Sequence, residues 1–188
     1  MNDVLETYET DQYKAEILLD TDPTNPREEE ENLGTMVCWH KRYNLGDPHE
    51  WTVEDFQNYL EHGQDKVVFP LYLYDHSGLT ISITPFQCPW DSGQVGWIYT
   101  TRHEIRRWFG VERVSTKLLL RAKMVLMHEV QTYDAYLRGE VYGYRLYRKS
   151  FCDSCGQTTL SLEDSCWGYY DLNDLKSSLP DELLKHPV

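Results

Sequence analysis

Between Ser115 and Arg138 the apolar residues Leu119, Ala122, Leu126, Val130, Tyr133 and Leu137 recur at intervals of three and four. That spacing predicts one long amphipathic helix, with Ser115 as its N-cap and Gly139 as its stop. A shorter helix is expected after Thr52-Val53-Glu54-Asp55, an N-cap with an acid three residues on, because Phe56, Tyr59 and Leu60 follow at helical spacing before Gly63. Thr101-Arg102-His103-Glu104 reads as a capping box that opens another short helix, closed by Gly110. Elsewhere the period is closer to two. Stretches 13–20, 34–40, 66–74, 79–84, 95–100 and 141–148 read as strands, and 158–163 pairs with 141–148 across the turn that holds Cys152 and Cys155. Pro70 places its stretch at a sheet edge or a bulge, because proline has no N–H for a ladder. The tail from Asp171 predicts one or two short helices, with Pro180 in a first turn.

Strands and helices do not alternate as βαβ units. The expected class is therefore α+β: a mostly antiparallel sheet, one longer helix packed on a face, and short peripheral helices. At 188 residues the chain is long enough for a single domain, 1–188, with a real core. Residues 21–33 read as an acidic, solvated loop insertion and 171–188 as a short helical tail. No run approaches the roughly 20 apolar residues of a membrane span. MNDVLETYET has neither a basic nor an apolar export region. The expectation is a cytoplasmic protein with no membrane partner.

The net charge is −13, and its distribution matters more than its total. Residues 1–65 hold 17 acidic against 4 basic residues, 66–150 hold 7 against 12, and 151–188 hold 7 against 2. Acidic ends repel nucleic acid and attract basic surfaces, or simply confer solubility. The basic middle runs through Arg102, Arg106, Arg107, Arg113, Lys117, Arg121 and Lys123. Several of these share a helical face at i,i+4 and could meet phosphates, pair with the acidic ends, or face water.

Five cysteines without an export signal point to thiols or metal ligands rather than a disulfide framework. Cys152-x-x-Cys155-Gly156 has the shape of a zinc knuckle. Cys166 is a candidate third ligand and Cys38, His40 or Cys88 a fourth, with an unligated hairpin turn as the alternative; a thioredoxin-like redox role lacks the βαβ context that motif has. Cys88 with His76, oriented by Asp91 or Asp75, is the best nucleophile–base pair on offer; a buried thiol beside a packing tryptophan is the plainer reading. Cys38-Trp39, Cys88-Pro89-Trp90 and Cys166-Trp167 suggest one shared core, or an exposed anchor surface formed by Trp90, Trp97 and Trp167. No phosphate-binding loop, dinucleotide fingerprint or hydrolase motif is present.

Three segments, Pro70–Gly78 (PLYLYDHSG), Cys88–Gly96 (CPWDSGQVG) and Asp164–Gly168 (DSCWG), together resemble a family of small proteins of phages and mobile elements of gut bacteria. The similar region runs from about Val67 to Tyr170. The resemblance carries no catalytic assignment. It implies a context: a small acidic accessory protein in a bacterial host cell that blocks a host defence nuclease, of the CRISPR or restriction type, in some cases by mimicking DNA. Glu28, Glu29, Glu30, Glu31, Glu54 and Asp55 would supply such a surface, with exposed aromatics such as Trp90 and Trp97 beside it. The alternatives are a nucleic-acid-binding accessory protein using Arg102–Lys123, and a small Cys-dependent enzyme centred on Cys88.

Overall fold

The computed structural model describes residues 4–28, 32–62, 65–152 and 154–185. It is α+β, with two antiparallel four-stranded sheets, each in its own compact unit. One unit comprises residues 25–138; the other comprises 1–24 with 139–188. The single domain expected from the sequence is thus divided into two compact units.

In the 25–138 unit, strands β3 (Thr35–Cys38), β4 (Lys66–Asp75), β5 (Leu79–Ser82) and β6 (Ser92–Thr101) stand in the order β3-β6-β4-β5. Helix α3 (Thr116–Leu137) covers one face with the apolar positions that its period marks out. Ala122, Leu126, Val130 and Tyr133 are buried with Met36, Leu71, Ile81 and Ile98. Ser115 caps α3 by accepting from Leu118 N, and Asp134 reaches from its last turn to accept from Ile81 N at 2.8 Å. Helix α2 (Arg102–Phe109) opens on the expected capping box, Thr101 with Glu104. It ends at Gly110, whose φ of +64° is the left-handed cap that glycine adopts without a Cβ penalty. Pro70 pairs with Trp97 of β6, while β5 reaches only Tyr72–Asp75. On the β5 side the proline thus sits where no ladder partner is needed, next to a register shift at Leu71/Tyr72.

One feature of this unit escapes the periodicity. Arg27, in the stretch read as a solvated acidic loop, is buried, its side chain only 2% exposed. Its guanidinium grips Asp47 through two parallel bonds of 2.8 Å and donates to Glu129 (3.0 Å), Asn32 (2.9 Å) and the Gly34 carbonyl (2.6 Å). Glu129 of α3 also accepts from Leu33 N (2.7 Å) and Gly34 N. The loop is therefore fastened to α3 by charge-assisted bonds that a hydropathy pattern cannot show.

In the other unit, β1 (Val4–Glu9), β2 (Tyr13–Leu19), β7 (Tyr142–Phe151) and β8 (Thr158–Tyr169) stand in the order β1-β2-β7-β8. The tail supplies its cover. Helix α4 (Leu172–Ser177), capped by Asp171, and a 3₁₀ turn at Leu183–Lys185 bring Leu175, Leu179 and Leu183 onto Tyr8, Ala15, Ile17, Tyr144 and Leu146. Pro180 opens that last turn, with Leu183 N bonded to its carbonyl at 2.9 Å. Strand β1 was not expected from the sequence, and β8 runs six residues beyond the expected end at Glu163.

Candidate functional site

The 25–138 unit carries its chemistry-bearing side chains around helix α1 (Val53–Glu61) and the turn before β6. Thr52 caps α1: its hydroxyl accepts from Asp55 N (3.1 Å) and donates to the Asp55 carboxylate (2.6 Å). Phe56 is wholly buried beneath the helix. Its ring lies 5.3–5.9 Å from those of Trp39, Trp51, Tyr59, Trp97 and Tyr99. Trp39 Nε1 donates to the Trp51 carbonyl (2.9 Å), and the Lys66 ammonium lies 3.7 Å over the Tyr59 ring. Tilted and edge-on pairs at these separations each add about 0.5–1.5 kcal/mol beyond simple burial. The helix is thus held rigidly on an aromatic layer.

What α1 turns outward is acidic. Glu50, Glu54 and Asp55 are exposed, and among the described residues none of them takes part in an ion pair. Trp51 remains 38% exposed beside them. Glu50, Trp51, Asp55, Asn58 and Tyr59 line a shallow recess of about 510 Å³. Carboxylates beside aromatic faces on a rigid helix suit contact with a cationic or polar protein surface.

A second feature is the Cys88–Ser92 turn. It carries Trp90, 92% exposed, on the rim of a recess of about 610 Å³. Trp39, His40 and Lys41 line both this recess and a neighbouring one of about 730 Å³ formed by the 38–49 segment. Arg42 and Asp75, which both line this recess, form an ion pair, and Asp75 N bonds the Asp91 carbonyl at 2.8 Å.

The residues picked out from sequence are distributed as follows. Cys88, His76 and Asp91 do come together, but Asp91 stands in the middle: its Oδ2 lies 3.3 Å from His76 Nδ1 and 3.8 Å from Cys88 Sγ. The thiol and the imidazole both face the carboxylate, so the direct nucleophile–base hydrogen bond that such a pair needs is replaced by contacts to Asp91. Trp97 is half-buried in the layer under α1 and so carries the helix instead of offering an anchor. The shared Cys–Trp core does not form. Trp39 and Trp97 belong to this layer, Trp90 is in solvent, and Trp167 lies against Gly143 in the other unit. Glu28 is exposed on a turn closed onto Asn25, while Glu29, Glu30 and Glu31 lie outside the described residues.

Of the basic run, Arg106, Arg107, Arg113, Lys117 and Lys123 are exposed. Arg102 is engaged by Asp65 (3.1 Å), and Arg121 packs over Phe109. Cys152 and Cys155 sit together at the β7–β8 tip. Cys166 pairs with Tyr144 far along β8, eight residues from Thr158, or roughly 26 Å at strand spacing. The three cysteines therefore do not form one ligand set, and among the described residues no group of three or more His, Cys, Asp or Glu is disposed to hold a metal ion. Among the described residues no helix is long and apolar enough to cross a membrane.

Sequence reasoning missed Arg27, the 38–49 segment with its two recesses, and Trp51. A signal existed for the last: Trp51 directly precedes the Thr52 cap, where an apolar residue often packs back on the first turn. No protein-family model, no curated protein and no solved structure matches this chain.

Proposed function

We propose that the chain is a binding protein that inhibits a bacterial host's defence nuclease, of the CRISPR or restriction type, by docking its acidic, aromatic α1 face onto the nuclease. One observation carries the reading. Glu54 and Asp55, which form no ion pair among the described residues, stand with Trp51 and Tyr59 at a helix packed on the Phe56 cluster. Pre-ordered side chains lose little entropy on binding, and Trp and Tyr dominate interface energetics. In this reading the carboxylates meet the cationic surface by which a nuclease holds DNA. The resemblance to phage and mobile-element proteins supplies the biological setting. The arrangement at Cys88 favours binding over Cys-dependent catalysis, because Asp91 separates the thiol from His76.

The test is phage plating on bacteria that carry an active defence system and express this chain. Restored plaquing with the wild type, lost in a Trp51→Ala/Glu54→Gln/Asp55→Asn variant that still folds, is the expected result. Full activity of that variant would refute the α1 face as the contact surface.

A second reading rests on the exposed cations Arg106, Arg107, Arg113 and Lys117, which form no ion pair among the described residues. It makes the chain a nucleic-acid-binding accessory protein. Binding of the purified protein to naked DNA, with a steep salt dependence, would favour it. The inhibitor reading expects none.

A further inference from the structure

The β7–β8 tip brings together two thiols that the proposed function does not use. Cys152 N bonds the Gln157 carbonyl at 3.0 Å, and Gly156 N returns to the Cys152 carbonyl at 2.8 Å, so a tight turn closes over Cys155. Cys152 Sγ lies 3.0 Å from Ser154 Oγ, and Cys155 follows within the same turn. Cys155 is exposed, and the tip projects at the end of two long paired strands, open to small molecules. We propose that Cys152 and Cys155 are a reactive vicinal dithiol, a site of reversible oxidation by low-molecular-weight disulfides such as oxidised glutathione.

The chemistry balances with that one co-reactant. The Cys152 thiolate attacks one sulfur of the small disulfide. The S–S bond breaks, one half departs as a thiol after protonation, and a mixed disulfide remains on Cys152. Cys155 then loses its proton and attacks the Cys152 sulfur, which expels the second half as a thiol. Two protein thiols are oxidised and one small disulfide is reduced to two thiols. Cys152 is the attacking member, because hydrogen bonds from Ser154 first, then from the Cys155 side chain and nearby backbone N–H groups, stabilise its thiolate and bring its pKa down to about 6. Cys166, also exposed, pairs with Tyr144 far from the tip, with no second thiol beside it on β7 or β8. It is the internal control.

The size of the effect follows from two opposed factors. A lower pKa raises the thiolate fraction but lowers intrinsic nucleophilicity, with a Brønsted slope of about 0.4–0.5. Against an ordinary thiol near 8.5, the net advantage of Cys152 is about twofold at pH 7 and about tenfold at pH 6. The advantage thus grows as the solution is acidified.

The experiment treats the full-length protein with oxidised glutathione at pH 6 and pH 7, quenches with acid, and maps the products by mass spectrometry beside a reference cysteine peptide. The expected result is a 152–155 peptide lighter by two hydrogens, with Cys166 modified only as a glutathione adduct. Cys152 should react about tenfold faster than the reference at pH 6. Cys155→Ser should trap glutathione on Cys152, and Cys152→Ser should abolish the fast phase. Cys155 is exposed and Cys152 half-buried at the tip, and the melting temperature of each variant checks that it folds. A persistent glutathione adduct on Cys152 in the wild type, or a Cys152 rate equal to the reference at pH 6, would overturn the proposal.

Discussion

Replacing Arg27 with Met tests how the 25–138 unit is held together. Methionine keeps the length and apolar stem of the side chain and removes five hydrogen bonds and a charge. Asp47 and Glu129 would then face one another without their shared counter-charge, although Met36 N and Leu33 N still bond to them at 2.9 and 2.7 Å. Removing one member of a buried ionic cluster costs about 3–5 kcal/mol, because the remaining charges are left unpaired. At about 2–4 °C per kcal/mol for a chain of this size, the melting temperature should fall by about 6–20 °C. Urea unfolding followed by tryptophan fluorescence reads this unit, since Trp39, Trp51 and Trp97 sit in its aromatic layer. Adding Glu129→Gln to the variant should recover part of the loss, because the vacated site then holds one charge fewer. If Arg27→Met unfolds within about 1 kcal/mol of the wild type, the cluster is not what fastens this segment, and the burial argument fails.

Gly143→Ala would place a methyl 2.1 Å from the Trp167 ring, so the unit holding residues 139–188 should lose about 1–3 kcal/mol; Trp167→Ala in the same chain should remove that penalty, as a double-mutant cycle would report. The Glu6 carboxyl is held below its ordinary range by hydrogen bonds from Lys176 and then Tyr8. A depressed carboxyl contributes stability that is fully present above its unfolded value near 4.5 and is lost as pH falls through the folded value, so α4 should loosen from β1 on acidification below about pH 4.5. Glu6→Gln should flatten that dependence in a hydrogen-exchange profile of Leu175. Trp90→Ala should leave the melting temperature unchanged, because the ring is in solvent; any effect it has on partner binding will therefore report contact and not folding.

The legible parts of this chain were those where local chemistry and tertiary burial agree. The α3 period, the Thr101–Glu104 capping box, the Thr52 cap and Pro180 all announce themselves within a few residues, and all appear where expected. Strand β1 was not legible: VLETYE pairs on one side only and buries little beyond Tyr8, so its alternation is weak. The end of β8 was hidden because Asp164-Ser165-Cys166 looks like a turn; as an edge strand it remains exposed and needs no apolar period. Arg27 was illegible for another reason. Its partners Asp47 and Glu129 are 20 and 102 residues away, and no local pattern distinguishes a buried arginine from a solvated one. At the candidate site Glu54, Asp55 and Trp90 are exposed and Trp97 is half-buried; sequence alone did not separate the two tryptophans, because a tryptophan's local context does not say which face of a strand is covered.

The most direct measurement is retention of a partner on the purified protein. Wild-type chain and the Trp51→Ala/Glu54→Gln/Asp55→Asn variant would be used as paired baits in lysate from bacteria expressing CRISPR and restriction nucleases, with and without the nucleases' own DNA. The account predicts that a defence nuclease is held by the wild type, released by its DNA, and lost from the variant. Equal retention by both baits would contradict the α1 face as the contact surface, and recovery of nucleic acid without a nuclease would contradict the inhibitor reading itself.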